Sequence, residues 1–413
     1  MHNQYTRVRL ACYTVNIMMS IVANLPPILF LTFRSLYGIT YSQLGLLILI
    51  NYMTQLGVDL IFSFFSHKIN IHKAVKSTPV FMLGGFLIFA GAPAVFPEHI
   101  FFGLALGTVI FSAAAGLGEV LISPLIAALP AKDPDREMSK LHSIYAWGTS
   151  AVVIAATVFL QLFGKEKWQY LALIMLIIPL ISICLFSGTK LPQMQTHDKS
   201  SGGANLFRNK WLWLSSLAIF LGGAAECTMA QWSSGYLEQA LNIPKIWGDM
   251  FGVALFAVML GLGRTLYAKF GKHLERILLL SSIGATVCYL CTAITDFPLL
   301  GLLACAFTGF CTAMLWPGNL VVAAERFPSG GVFLYAFMAA AGDLGASVGP
   351  QLVGIITDVT VASANTLLLA QRLNLTAEQL GMKLGMLTGM LFPLISIPLF
   401  CVFLRAKKKE TNK

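Results

Sequence analysis

Charge is scarce in this chain. Asp, Glu, Lys and Arg make up 11% of its 413 residues, where a soluble globular chain carries about 25%. Acids are scarcer than bases, 18 against 28. No polar segment is long enough for a separate aqueous domain. Metal-ligand spacing is also lacking. The eight cysteines fall in or beside apolar stretches, and Cys288 and Cys291, a CxxC by letters, have no second Cys or His pair near them. That pair reads as packing and not as a zinc site, so neither metal nor cofactor is expected. No signal peptide is expected either, because MHNQYTRVRL leads into a long apolar segment with no small-residue cleavage site.

What remains is apolar. Hydrophobic residues make up 57% of the chain and the mean hydropathy is +0.75. A bilayer crossing takes about 20 apolar residues in one helix. On that basis the chain reads as an all-α membrane protein with twelve transmembrane helices. They lie at roughly 10–33, 41–65, 77–96, 101–129, 141–163, 168–188, 211–240, 247–270, 276–295, 298–324, 332–358 and 378–404. TAEQ, Thr376–Gln379, reads as the capping box that starts the last one.

Orientation follows from the basic residues. With both termini cytoplasmic, 22 of the 28 Lys and Arg lie on the inner side, which satisfies the positive-inside rule. The net charge of +10 then belongs to the membrane surface, and no nucleic-acid partner is needed. The expected location is the cell membrane.

The halves echo one another about a polar, Ser/Gly-rich stretch, Thr189–Lys210. YGITYSQLG before the second span resembles LNIPKIWGD before the eighth. Gly116, Glu119 and Pro124 in the fourth span have the spacing of Gly309, Thr312 and Pro317 in the tenth. Two parallel six-helix repeats, residues 1–189 and 211–413 around a cytoplasmic linker 190–210, are the pattern of the major facilitator superfamily.

Three blocks carry a closer resemblance: GEVLISPLIAALP with MSKLHSIYAWG, then GAAECTMAQWSSGYLEQALNIPKIWGDMFG with GLGRTLYAKFG, then LWPGNLVVAAERFPSGG with AGDLGASVGPQLVG. They resemble the fucose-permease-like (fucose:proton symporter) group of that superfamily, nearest to its uncharacterised Gram-positive bacterial members. The resemblance implies a monomeric secondary transporter with a central cavity between two bundles. Two departures set the chain apart from the sugar–proton symporters of the group. Pro27 stands where those carry a first-helix aspartate. The loop motif after the second span has become FFSHKINIHK, leaving Asp59 as the acid nearest that inner loop. The second half keeps GRTLYAKFGK, with Arg264 and Lys269 as gating or loop-motif residues.

Glu119 is the one charge in a long oily stretch. It lies eleven residues before Pro130, roughly 16 Å from the inner end of its helix and close to the bilayer midplane. A charged carboxylate there costs about 3 kcal/mol on insertion scales. It must therefore face a cavity or a polar partner, either as a proton-coupling or substrate-binding group or as a structural hydrogen bond. Glu226 and Asp343 are two further intramembrane acids open to the same two readings. Gln231, Trp232 and Tyr236 share the seventh span with Glu226, and Trp232 and Tyr236 lie one turn apart on one face, as a sugar-binding surface or as an aromatic packing seam. Tyr145 in the fifth span and Trp316 and Asn319 in the tenth complete the candidate contact set. Asn24 joins it, beside Pro26 and Pro27, where a helix break would free backbone carbonyls.

The sequence thus points to proton-coupled symport of a sugar or other small polar solute. An exporter of drugs or amphiphiles and a uniporter remain open. A polytopic membrane enzyme is the remote alternative, because the loops are mostly short and the one acid-rich loop, AKDPDREMSK, reads as an ordinary charge cluster.

Overall fold

A computed structural model of the chain describes residues 2–65, 68–130, 134–192, 208–270, 273–327 and 331–411. The regular elements among them are helices. Helices follow from the composition, because a backbone in hydrocarbon must satisfy its own N–H and C=O groups. In order they are α1 (His2–Ile28), α2 (Phe30–Tyr37), α3 (Tyr41–Phe65), α4 (Ile71–Val95), α5 (Ile100–Ala127), α6 (Pro134–Phe163), α7 (Trp168–Met175), α8 (Ile177–Phe186), α9 (Lys210–Leu241), α10 (Leu255–Phe270), α11 (Leu274–Ile294), α12 (Pro298–Thr312), α13 (Pro317–Arg326), α14 (Gly331–Ala362), α15 (Ala364–Arg372) and α16 (Ala377–Thr411). A short helix, Lys245–Trp247, and a π-helical turn, Gly248–Ala254, lead into α10.

Among the described residues eleven helices are long and apolar enough to cross a bilayer, and Trp147–Phe163 within α6 is a shorter apolar helix. Each of the twelve expected spans falls on helix. Three are broken within their length. The first yields at Leu29, three residues after Pro26, whose carbonyl accepts the Leu29 N–H at 3.0 Å. The sixth yields at Leu176, and the tenth over residues 313–316, just before Pro317. The expected capping box is present: the Thr376 N–H donates to Gln379 Oε1 at 2.9 Å and the Gln379 N–H to Thr376 Oγ1 at 3.1 Å. A second, at Thr40 and Gln43, starts α3 in the same way.

The chain divides into two compact units, Met1–Ile39 with Ile50–Lys199, and Thr40–Leu49 with Ser200–Lys413. Residues 193–207, most of the expected linker, lie outside the described residues.

In the first unit a polar ladder joins α1 to α6. Asn16 donates to the Leu141 carbonyl at 2.6 Å, Ser20 to the Tyr145 carbonyl at 2.9 Å and Asn24 to Thr149 Oγ1 at 3.4 Å. The donors stand at i, i+4 and i+8, one face of a helix. Helices α4 and α5 interlock through small residues. The position a Cβ would take at Gly85 is 2.5 Å from the Phe111 nitrogen, and at Gly107 it is 2.7 Å from the Phe89 nitrogen. Phe86 and Phe111 stack across this seam at 4.6 Å.

In the second unit α14 lies against α9 at the same short range, with Gly345 against Phe220 and Gly349 against Thr228. Residues Thr40–Leu49, the first turns of α3, belong to this unit. Asp358 on α14 holds them: its Oδ1 accepts the Tyr41 N–H at 3.1 Å and its Oδ2 the Ser42 N–H at 2.6 Å. A carboxylate that accepts the free N–H groups of a helix start is a cap supplied from another helix.

Removing it has a definite cost. Asp358→Ala is expected to destabilise the purified protein by about 1–2 kcal/mol, read as a lower thermal midpoint in detergent, with Asp358→Asn falling between. An unchanged midpoint would show that the start of α3 is satisfied without Asp358.

Candidate functional site

Glu119 projects from α5 with its side chain exposed, between the buried Gly118 and the half-buried Val120. Its neighbours explain the placement. Gly118 closes on Val15 and Met19 of α1, and Gly116 closes on Gln55 and Val58 of α3. The helix is clasped on those sides, and the carboxylate projects from the side left over. No described residue hydrogen-bonds it. Its helix lies within the apolar window Ile100–Ile122, and lipid would penalise a carboxylate there.

Beside it on α3 runs a polar stripe that the sequence reading passed over. Ser112 donates to Asn51 Oδ1 at 2.6 Å and Gln55 to the same oxygen at 3.0 Å. Asp59, expected near an inner loop, is buried in α3 one turn beyond Gln55. Asn51, Gln55 and Asp59 recur every four residues, a signal visible in the sequence. Asn24 donates to Thr149 and to the Ser20 carbonyl at 2.8 Å, so its amide is engaged between α1 and α6. Tyr145 lies on the same face as Thr149, with its side chain 36% exposed.

In the second unit Glu226 meets Arg264. The Arg264 Nη2 is 3.3 Å from Glu226 Oε1, and the Arg264 Nε donates to the Ala313 carbonyl at 3.1 Å. These are the two partners of Arg264, the residue expected to gate or to belong to a loop motif. It lies inside α10, within the apolar stretch Lys245–Tyr267, and the helix runs on past it to Phe270. The carbonyl it uses is supplied where α12 ends before Pro317. The Lys269 side chain lies outside the described residues.

The remaining candidates, Trp316 apart, are enclosed. Trp232 is 1% exposed, donates its indole N–H to the Pro350 carbonyl at 2.9 Å and packs its ring on Tyr41 at 6.2 Å. Tyr236 is fully buried, with its hydroxyl on the Thr292 carbonyl. Gln231 is 9% exposed. Asn319 is buried on the Leu315 carbonyl at 2.6 Å. Trp316 is half-buried and lies against Gly223 and Gly342, where any side chain would strike its ring. Asp343 is buried on α14.

The sequence reading also missed Asp249. It is completely buried at the π-helical turn, accepts from the Ser234 hydroxyl and lies 3.3 Å from Lys245.

The enclosure of Trp232 has a measurable consequence. Trp232→Ala should destabilise the ligand-free protein by about 3–5 kcal/mol, and Trp232→Phe, which keeps most of the volume, by much less. A midpoint that does not move with alanine would show that the ring is not part of the packing.

The profile of the Major Facilitator Superfamily matches residues 10–350, and the chain belongs to that family. No curated protein sequence matches it. Solved structures of the same fold include a D-xylose-proton symporter, 13% identical with a TM-score of 0.72 over 95% of this chain and 97% of that one. They also include the nucleoside transporter NupG, 11% identical with a TM-score of 0.68 over 96% and 99%. A variant of the Escherichia coli fucose:proton symporter FucP is 15% identical with a TM-score of 0.58 over 95% and 99%.

Proposed function

We propose that this member of the Major Facilitator Superfamily is a secondary active transporter that carries a sugar-like or other small polar solute together with a proton by alternating access. It is a carrier and not an enzyme. The observation that supports this most is Glu119, an acid exposed from the middle of an apolar helix with no described hydrogen-bond partner. A carboxyl so placed can take up and give back a proton without breaking a structural bond. The structures of similar fold include sugar–proton symporters and a nucleoside transporter, which agrees with a hydrophilic solute. The quoted motifs support a place near the fucose-permease-like group and its Gram-positive members.

Glu119 is the proton carrier in this reading, with Glu226 and Asp343 as the acids of the other unit. Tyr145 and Trp316, exposed and half-buried, are the accessible members of the proposed solute-contact set. Asn24, Gln231, Trp232 and Asn319 are engaged or enclosed in this conformation and would contact solute only in another state of the carrier. The protein acts as a monomer in the cell membrane. Its basic-residue bias supports cytoplasmic termini and a cytoplasmic linker between two six-helix bundles, 1–189 and 211–413.

Glutamine copies a protonated glutamate in shape and in hydrogen bonding. Glu119→Gln is therefore expected to abolish accumulation driven by a pH gradient in proteoliposomes while preserving solute exchange. Gradient-driven accumulation at full strength in Glu119→Gln would assign the carboxyl a structural role and refute the proton-carrier reading.

A further inference from the structure

We infer that Arg264 and Glu226 form an anion site in the second unit, and that the carried solute bears a carboxylate that takes the place of the Glu226 side chain on Arg264. This rests on reading the protein as a proton-coupled solute carrier and specifies the class of solute.

The geometry of α10 comes first. Val258, Leu262 and Leu266 are exposed large aliphatics on one stripe of the helix. Phe256 and Gly263 are buried, where Gly263 meets Ala313 and Phe256 meets Gly309 of α12. Arg264 lies on neither stripe. At 3.6 residues per turn its neighbours on the third side are Leu260, Gly261 and Ala257, and the space on the Gly261 side is left open. Nothing lies within 4 Å of the position a Cβ would take at Gly261. The Arg264 side chain is 45% exposed. Its exposed face and the open position beside Gly261 leave room for a small group next to the guanidinium.

The chemistry comes second. Arginine offers five N–H donors in a planar fork suited to a carboxylate. Here two are spoken for, one by the Ala313 carbonyl and one by Glu226 Oε1. Glu226 engages Arg264 through one oxygen only. Its Oε2 is buried and has no hydrogen-bond partner among the described residues. A single 3.3 Å contact that leaves the second oxygen bare is a weak form of a pairing that is normally bidentate. Glu226 is thus a resident carboxylate that holds the fork in part and can be displaced.

Exchange keeps the charge in balance. With Glu226 ionised, the pair is neutral. When a proton enters on Oε2, Glu226 becomes neutral and an arriving solute carboxylate restores neutrality on Arg264. The anionic group binds as Glu226 is neutralised and is released as Glu226 ionises again, so this pair holds and frees the solute while Glu119 carries the proton that crosses with it.

Other titratable groups on the packed helices are engaged elsewhere. Lys407 on α16 is bound by Glu275 at 2.5 Å and Glu325 at 3.6 Å. Lys383 is bound by Asp296 at 2.9 Å. Tyr289 on α11 donates to the Ala225 carbonyl, and Tyr267 on α10 faces Glu325, Glu275 and Lys407. On α14, packed against α9, the acids are Asp343 and Asp358, the latter engaged at the start of α3.

The test is calorimetric binding of D-gluconate, D-glucuronate and D-glucose to the purified full chain, at acid and at neutral pH. Binding of either sugar acid, at least about tenfold tighter than D-glucose and tighter at acid pH, is expected. Glu226→Gln should bind the sugar acid with no dependence on pH. Arg264→Gln should lose about tenfold or more in affinity. Gly261→Leu, which fills the open space and leaves the ion pair in place, should lose binding even if Arg264→Gln fails to fold. D-Glucose bound as tightly as the sugar acids, or sugar-acid binding that survives Gly261→Leu and Arg264→Gln, overturns the inference. Uptake of neutral D-xylose driven by a pH gradient, with no binding of either sugar acid, overturns it while leaving the symport reading intact. The absence of any gradient-driven uptake removes both.

Discussion

A charged side chain in hydrocarbon costs about 3 kcal/mol at the centre of a helix, and the placement of the charges in this protein follows from that cost. Lys383, within the last apolar span, is held by Asp296 and by the Thr295 carbonyl. Lys407, at the end of the same span, joins Glu275 and Glu325. Asp249 has Lys245 and Ser234. Arg264 has Glu226 and a carbonyl released by the break in the tenth span. Glu119 departs from this pattern, because it is exposed and no described residue hydrogen-bonds it. Water at its exposed face would offset that cost and would serve the proposed proton site.

The remaining polar groups serve the packing. Without a hydrophobic force between helices in lipid, association relies on close approach and on hydrogen bonds. The glycines at Gly85, Gly107, Gly345 and Gly349 supply the close approach. The ladder from Asn16, Ser20 and Asn24 to α6 and the Asn51 node shared by Gln55 and Ser112 supply the bonds. Many hydroxyls, among them Thr108, Thr308, Ser347 and Thr357, bond back to the carbonyl four residues earlier and so satisfy their own donors within the apolar interior. Each unit is thereby built from helices locked at short range, which suits a carrier whose moving parts must stay rigid while a site opens and closes.

The spans were legible in the sequence because apolar length is a local property. So were the capping box at Thr376 and the isolation of Glu119, which needs no partner to be recognised. Pairings were not legible, because they join residues far apart in the chain. Arg264 is 38 residues from Glu226 and Asp358 is 317 from Tyr41. The spacing of Trp232 to Tyr236 left a binding surface and a packing seam both open. Helical spacing fixes which face a residue shares, but not whether another helix covers that face. Asn51, Gln55 and Asp59 were within reach, since polar residues four apart in an apolar span announce a buried polar face.

The central claim is that a proton moves with the solute and that Glu119 carries it. Proteoliposomes loaded with a pH-sensitive dye and presented externally with D-xylose, L-fucose, uridine or D-gluconate test it directly. The account predicts that at least one solute acidifies the interior as it enters, and that Glu119→Gln removes the acidification. Entry of a solute with no change in internal pH, or acidification that persists in Glu119→Gln, would contradict it.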